Sequence, residues 1–169
     1  MNSGFNKAAN SAGVKPSCFV AGTLVMAVVG MVAIEKIKSG DKIISTDPET
    51  METGEKTVLE TYIREVTTLV HLTVNGEEIV TTVDHPFYVK NQGFIKAGEL
   101  IVGDEFLDVN GNVLLVEKFN VELTDEPTTV YNFQVEDFHT YHVGEIGVWV
   151  HNASCKVNKK VGENYDQRF

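Results

Sequence analysis

The stretch GMVAIEKIKSGDKII, at residues 30–44, recurs without gaps as GFIKAGELIVGDEFL at residues 93–107. Both copies begin with glycine, place a Gly-Asp pair ten residues later, and end on two apolar residues. An apolar side chain, Ile37 or Leu100, stands three positions before the Gly-Asp pair. A block that recurs in the two halves of the chain predicts two similar subdomains related by a pseudo-twofold axis.

The segments around the repeat have the pattern of an all-β domain. LVHLTV at residues 69–74 matches VYNFQV at residues 130–135, and other short β-branched and aromatic runs surround them. Turn signals separate these runs at DPET (47–50), VNGE (74–77), VNGN (109–112) and DEP (125–127). The two Asn-Gly pairs predict β-hairpins. A single helical turn is expected at AIEKIKSGD, residues 33–41.

Composition and charge exclude several classes of function. The 169 residues suffice for one domain with a sizeable core, and the net charge of −10 argues against nucleic acid or an anionic membrane as a partner. No apolar run approaches the roughly 20 residues of a membrane helix. Residues 1–17 lack the apolar run of a signal peptide, so an export signal would lie on a longer parent protein or be absent. We expect a monomer.

Three regions follow from these patterns. Residues 1–17 and 153–169 are polar and read as flanks, whereas residues 18–152 carry the strand pattern and form the predicted domain. The side chains suited to chemistry are Cys18, Thr82, His85, His139, His142, His151 and Asn152. Singly, each has a structural explanation, such as a buried thiol, a turn histidine or a left-handed asparagine. Together they place a thiol at the first residue of the domain and a carboxamide at the last.

Three sequence blocks carry a family resemblance. They are CFVAGTLV (18–25), TVDHPFYV (82–89) and VYNFQVEDFHTYHVGEIGVWVHN (130–152). In this order they resemble a HINT (Hedgehog/intein) domain, and most closely a bacterial intein-like domain of the A type. The resemblance implies a horseshoe-shaped all-β fold of two pseudo-twofold related subdomains, which agrees with the repeat. It favours a bacterial precursor of several domains, secreted or displayed at the surface.

The resemblance implies a reaction at the N-terminal junction. Cys18 would attack the carbonyl of Ser17 and convert the amide into a thioester. His85 would protonate the departing amine, and Thr82 would position the peptide and donate a hydrogen bond to the developing oxyanion. Asn132 stands where many inteins have aspartate, a departure that puts the coupling of the two junctions in question.

A second reaction is implied at the C-terminal junction. The side chain of Asn152 would attack its own carbonyl, form a succinimide and break the Asn152–Ala153 bond. His151 would polarise that carbonyl or protonate the leaving amine, and His139 would assist proton removal. His142 competes with His139 for this second role, and we favour His139.

The residue after Asn152 determines the expected products. Ala153 has no nucleophile where the family usually has Cys, Ser or Thr, so the resemblance implies two independent cleavages with low-yield splicing. Cys155 is open to three interpretations: a redox partner of Cys18, an alternative acyl acceptor, or a bystander. The activity would be single-turnover autocatalysis in cis, without a cofactor, on the chain's own flanks.

Two alternatives come from other classes of protein. Convergent cysteines and histidines suit zinc, at Cys18, His85, His139, His142, His151 and Cys155. No local C-x-x-C or H-x-x-x-H pair supports a structural site, so we expect zinc only as an inhibitor, at Cys18, His85 and His151. The other alternative is a structural linker domain without catalysis.

Overall fold

A computed structural model describes residues 17–152, which form twelve antiparallel strands and two short 3₁₀ turns. The strands are β1 (Phe19–Val20), β2 (Leu24–Ala27), β3 (Gly30–Ala33), β4 (Lys42–Thr46), β5 (Thr53–Val74), β6 (Glu77–Thr81), β7 (Pro86–Val89), β8 (Gly93–Lys96), β9 (Glu105–Leu107), β10 (Val113–Val135), β11 (Thr140–Val143) and β12 (Val148–His151). The expectation of an all-β domain is confirmed. In this part of the chain, no helix has the length and apolar character needed to cross a bilayer.

The two copies of the repeat fold alike. β3 and β8 each lead into a 3₁₀ turn, at Ile34–Lys36 and Ala97–Glu99. After each turn an aspartate side chain accepts a hydrogen bond, at 2.9 Å in both copies, from the backbone N–H three residues earlier. The repeated glycines Gly40 and Gly103 have φ of +94° and +99°, a conformation that side chains with a Cβ disfavour. The repeated sequence therefore encodes a repeated local structure.

The two halves meet where β1 and β6 pair. Phe19 of β1 lies opposite Thr81 of β6. β1 also pairs with β10, through Phe19 and Tyr131, while β6 pairs with β5, through Thr81 and Val70. A pseudo-twofold axis between β1 and β6 relates these two sets of pairings. The axis therefore passes beside the N-terminal end of the domain.

The long strands β5 and β10 differ from the sequence prediction. The DEP signal (125–127) predicts a turn, but β10 runs through it and only the pairing register shifts, between Leu123 and Thr128. β5 is likewise one strand of 22 residues where the sequence suggests two. Residues 124–127 have no paired residue on β5, so β10 passes through them as a bulge between paired segments on either side.

Four short connections agree with the sequence. Asn75 and Gly76 have φ of +46° and +87° and form the β5–β6 hairpin turn. The other Asn-Gly pair lies between β9 and β10, which pair. DPET (47–50) connects β4 to β5, and the first 3₁₀ turn lies within the predicted AIEKIKSGD segment.

Candidate active site

The N-terminal junction is buried at the start of β1. Ser17 is 4% exposed and Cys18 is fully buried. The end of β6 holds the Cys18 peptide from both sides. The Cys18 carbonyl accepts from the Thr81 hydroxyl and the Thr82 N–H, each at 3.0 Å, and the Cys18 N–H donates to Thr82 Oγ1 at 3.1 Å. The Ser17–Cys18 amide is therefore fixed in place.

The loop after β6 is pinned by the second 3₁₀ turn. The carbonyls of Val83 and His85 accept hydrogen bonds, each at 2.8 Å, from the N–H groups of Gly98 and Ala97. A Cβ at Gly98 would lie 3.2 Å from the Val83 carbonyl oxygen, so the close approach favours glycine. The repeat thus positions the TVDH segment beside the junction.

The hydroxyl of Thr82 is directed at the backbone nitrogen of Cys18. It accepts from the Cys18 N–H and donates its own proton to Asp84 at 2.8 Å. Asp84 also forms an ion pair with Arg64 at 3.5 Å. The sequence prediction had Thr82 donate to the oxyanion; here the Ser17 carbonyl instead accepts from Asn132 Nδ2. Thr82 lies at the predicted junction but orients the nitrogen side of the peptide.

The thiol of Cys18 is protonated in this environment. Burial raises its pKa to about 12, the nearby Arg64 guanidinium lowers it, and the Asp84 carboxylate raises it. A thiol with such a pKa carries very little thiolate at neutral pH, and the thiolate is the better nucleophile. Attack therefore needs a group that accepts the thiol proton.

His85 lies between the two junctions, and its ring has no hydrogen-bond partner among residues 17–152. Its ring is fully buried, and neither ring nitrogen is hydrogen bonded to any described residue. Burial lowers its pKa to about 3, while the carbonyls of His151 and Ser17 act in the opposite direction. The imidazole packs on Phe19 with ring centroids 4.2 Å apart. It is a neutral ring with two unused nitrogens, an arrangement suited to relaying a proton.

The C-terminal junction is held by β10 and by the loop before β11. Asn152 is 2% exposed, and its Oδ1 accepts from the Val135 N–H at 2.9 Å. Its backbone N–H donates to the His139 carbonyl at 2.7 Å. His151 Nδ1 lies 3.0 Å from the Asn152 carbonyl oxygen. Because that oxygen can only accept, Nδ1 carries the proton and donates to the carbonyl that would be attacked.

Two histidines differ in their relation to His151. The exposed His139, with φ of +60°, stacks its ring on that of His151 at a centroid distance of 6.2 Å. His142 is buried, and both its ring nitrogens have protein partners, Gly147 O at 2.9 Å and Thr46 Oγ1 at 2.8 Å. The structure thus brings His139 to the junction, and His142 ties together neighbouring strands.

Two residues beside the N-terminal junction are absent from the sequence prediction. Tyr141 donates from its hydroxyl to Asn132 Oδ1 at 2.6 Å, and Arg64 pairs with Asp84. Alternation along β11 places Tyr141 on the opposite face from His142 and so could have indicated that it faces the core. Nothing in the local sequence indicates that Arg64, eighteen residues before Thr82, reaches the site.

Some predicted residues are not among those that the structure describes. Ala153 and Cys155 lie outside the described residues, as do the predicted flanks apart from Ser17. Within residues 17–152, no three His, Cys, Asp or Glu side chains are placed to hold a metal ion together. The zinc site suggested at Cys18, His85 and His151 therefore has no support from the geometry.

Comparison with known proteins extends these observations. The family model described as pretoxin HINT domain matches residues 24–153. The solution structure of a bacterial intein-like domain from Clostridium thermocellum is 62% identical, covers 80% of this chain and 98% of its own, and has a TM-score of 0.78. A DnaB intein from Synechocystis shares the fold at 16% identity, with a TM-score of 0.66 over 82% of this chain and 99% of its own.

Curated relatives match only in part. An uncharacterised protein of Methanocaldococcus jannaschii is 38% identical over 77 residues, which are 43% of this chain and 11% of that protein. The RNA polymerase III subunit rpc2 of Dictyostelium discoideum is 32% identical over 87 residues, 48% of this chain and 5% of that protein. The chain therefore spans about a tenth or less of the length of these relatives.

Proposed function

The chain belongs to the pretoxin HINT domain family, and on that premise we propose that it cleaves itself at both junctions. One observation carries the proposal. Each carbonyl that the two reactions would attack has a hydrogen-bond donor directed at its oxygen: Asn132 Nδ2 at Ser17, and His151 Nδ1 at Asn152. Donors aimed at a carbonyl oxygen stabilise the negative charge that develops there during acyl transfer. Ser17, Cys18 and Asn152 are also buried, which strengthens such interactions.

The N-terminal reaction is an N–S acyl shift. Cys18 Sγ bonds to the Ser17 carbonyl carbon, the Ser17–Cys18 C–N bond breaks, and the thiol proton ends on the Cys18 nitrogen. The neutral ring of His85 relays that proton, accepting it on one nitrogen and donating from the other. Thr82 holds the nitrogen in position. Water or an external thiol then cleaves the thioester and releases the N-terminal flank.

A groove beside the junction gives such a nucleophile access. It has a volume of about 560 Å³, and Arg64, Thr82 and Asp84 are among its lining residues. Thr82 contacts the Cys18 N–H, so the groove brings a small thiol to a residue that is hydrogen bonded to the Ser17–Cys18 peptide.

The C-terminal reaction is asparagine cyclisation. Asn152 Nδ2 attacks the Asn152 carbonyl carbon, the Asn152–Ala153 bond breaks, and a proton moves from Nδ2 to the Ala153 nitrogen. Val135 fixes the oxygen of the carboxamide, so its nitrogen is the end left to turn toward the backbone. His151 polarises the carbonyl, and the stacked ring of His139 is placed to assist the proton transfer.

Ala153 determines how the two cleavages combine. Without a side-chain nucleophile after Asn152, the thioester has no adjacent acceptor, and independent cleavage dominates over splicing. Ala153→Cys should therefore raise the share of ligated flanks in intact-mass spectra at the expense of double cleavage. An unchanged share would mean that geometry, rather than the missing nucleophile, limits splicing.

Intact-mass analysis of the full chain over time, with and without dithiothreitol, tests the proposal. Cys18→Ala should abolish thiol-induced release of residues 1–17 and leave cleavage at Asn152 intact. Asn152→Ala should show the reverse pattern, loss of tail release with normal thiol-induced release. Thiol-dependent release from Cys18→Ala, or tail release at the wild-type rate from Asn152→Ala, would refute the corresponding reaction.

A further inference from the structure

The carboxamide of Asn132 is held in one orientation. Its oxygen Oδ1 accepts two hydrogen bonds, from the Tyr141 hydroxyl at 2.6 Å and from the Phe133 N–H at 2.7 Å. An amide oxygen carries no hydrogen, so two donors fix which end of the group is oxygen. The amino end therefore faces the carbonyl oxygen of Ser17, to which it donates. Asn132 is 2% exposed, so water does not compete for these bonds.

Tyr141 has the packing and the protonation state that this arrangement needs. Its ring is fully buried and lies 4.1 Å from the ring of Phe133 and 6.3 Å from that of Phe19, measured between centroids. Burial, and to a lesser degree the nearby Cys18, raises the pKa of Tyr141 well above its ordinary value. The phenol keeps its proton and remains a donor to Asn132.

We propose that Asn132 supplies the oxyanion donor for the acyl shift at Ser17–Cys18, and that Tyr141 is the positioning residue that orients it. This inference rests on the proposed self-cleavage. As Sγ bonds to the Ser17 carbon, the carbonyl electron pair moves onto the oxygen, and that charge develops against a donor already in place. The pair returns when the C–N bond breaks. The hydrogen bond from Asn132 therefore stabilises the transition state more than it stabilises the resting amide.

The same geometry explains why an amide suits this position. A carboxylate at residue 132 would direct an ionised oxygen at the Ser17 carbonyl oxygen, and two partial negative charges in a buried site repel strongly. A protonated carboxyl group could still donate. The asparagine at residue 132, where many inteins have aspartate, therefore affects the reaction at the N-terminal junction itself.

Release of residues 1–17 by dithiothreitol measures the effect. Asn132→Ala should slow release by about 10²- to 10³-fold, the usual consequence of losing one oxyanion donor. Tyr141→Phe keeps the buried ring and deletes only the hydroxyl, and it should slow release by about tenfold. Cleavage at Asn152 in the same samples should keep its wild-type rate in both variants.

The neighbouring pair of Tyr62 and Gln134 provides matched controls. The Tyr62 hydroxyl donates to Gln134 Oε1 at 2.8 Å, so it repeats the tyrosine–amide bond two residues further along β10, and Tyr62 itself lies opposite Asn132 on β5. Tyr62→Phe and Gln134→Ala should release residues 1–17 at the wild-type rate. A similar slowing in these controls would mean that any tyrosine–amide bond on this strand acts through stability, and the inference would be wrong.

The pH profile of Asn132→Asp distinguishes donation from structural support. The aspartate can donate to the Ser17 oxygen only while protonated, so its release rate, divided by that of wild type, should rise as the pH falls. A ratio independent of pH would contradict the proposal, and so would a loss of near-ultraviolet circular dichroism that follows the ratio with pH, because ionisation of a buried aspartate also destabilises the fold.

The two proposals fail in different ways. If wild type releases residues 1–17 with thiol and Cys18→Ala does not, self-cleavage stands, and a wild-type rate in Asn132→Ala then overturns only the oxyanion assignment. If Cys18→Ala behaves as wild type, the acyl shift itself is wrong. Should Asn132→Ala lose its near-ultraviolet circular dichroism, Tyr141→Phe decides: slower release supports the assignment, and an unchanged rate overturns it.

Discussion

The two halves of the domain share a backbone but differ in what they do with equivalent residues. The carbonyl of Thr23 accepts from Ile34 N–H at 2.8 Å, and the carbonyl of His85 accepts from Ala97 N–H at 2.8 Å. At this shared position the first half has Thr23, whose hydroxyl donates to the carbonyl of Val20, three residues earlier. The second half places a buried imidazole there, without a hydrogen-bond partner among residues 17–152.

A second equivalent pair shows the same asymmetry. His71 of β5 and Asn132 of β10 occupy matching places in LVHLTV and VYNFQV. The ring of His71 lies near the surface between the carboxylates of Glu78 and Glu122, at 3.0 and 2.6 Å. Asn132 instead faces Ser17.

Chain topology accounts for the difference between the halves. β10 lies beside β1, where the chain enters the domain, whereas β5 lies beside β6, which a hairpin connects to it. The same scaffold position therefore meets a junction in one half and an internal turn in the other. The two halves share one frame, and the point at which the chain enters β1 determines which half faces Ser17.

The largest expected effect separates His85 from its counterpart. His85→Gln should slow thiol-induced release of residues 1–17 by about 10²- to 10⁴-fold, because it removes the proton relay. Thr23→Val, at the equivalent position, should change the rate by less than about threefold, because no reacting atom is involved. Intact-mass time courses measure both. Equal slowing by the two substitutions would show that both halves contribute to the chemistry.

The pH dependence of stability should also distinguish the halves. His85 has a folded-state pKa of about 3, so its stabilising contribution is present above about pH 6.5, the value in unfolded chains, and is lost as the pH falls toward 3. The loss is about 1.4 kcal/mol per pH unit. His85→Gln should therefore flatten the decline in the free energy of unfolding between pH 7 and 5. Urea denaturation in a Cys18→Ala, Asn152→Ala background, which prevents cleavage, provides the measurement.

His71 provides a control of opposite sign. Partial burial lowers the pKa of His71, but its hydrogen bonds with Glu78 and Glu122 outweigh burial and hold the pKa above its ordinary value. Its contribution is present below the unfolded-state pKa and is lost as the pH rises through the folded-state pKa. His71→Gln should therefore remove the gain in unfolding free energy that wild type shows as the pH falls toward about 6.5 from above, and should leave the slope below about pH 6 unchanged. A shift of the same sign in both variants would contradict the assigned environments.

The smallest expected effects should be equal in the two halves. Gly40 and Gly103 have similar positive φ, and a Cβ at either would meet no atom within 4 Å. Alanine at either position should therefore cost only the backbone strain, about 1–2 kcal/mol of unfolding free energy. Urea denaturation of the two variants in the cleavage-deficient background compares them. A marked difference between the two losses of unfolding free energy would show that the repeated turns are not under the same backbone strain.

The sequence predicted the components of the site better than their arrangement. The repeat, the Asn-Gly hairpins and the positions of Cys18 and Asn152 follow from local patterns that any reader of the chain can recognise. The continuity of β10 through DEP does not, because a proline and two carboxylates favour a turn, and the strand continues only because β5 pairs with the segments on either side. The partner strand lies more than fifty residues away in sequence.

By itself, the sequence determined an all-β frame of two similar halves with a thiol and a carboxamide at its ends, since periodicity and turn chemistry act over a few residues. Only the tertiary structure decided that Tyr141 orients Asn132, that His142 has partners elsewhere, and that Thr82 faces the nitrogen of the Ser17–Cys18 peptide. The bond from Thr82 to Cys18 spans 64 residues. Such bonds depend on strand register and packing, which the whole fold sets at once.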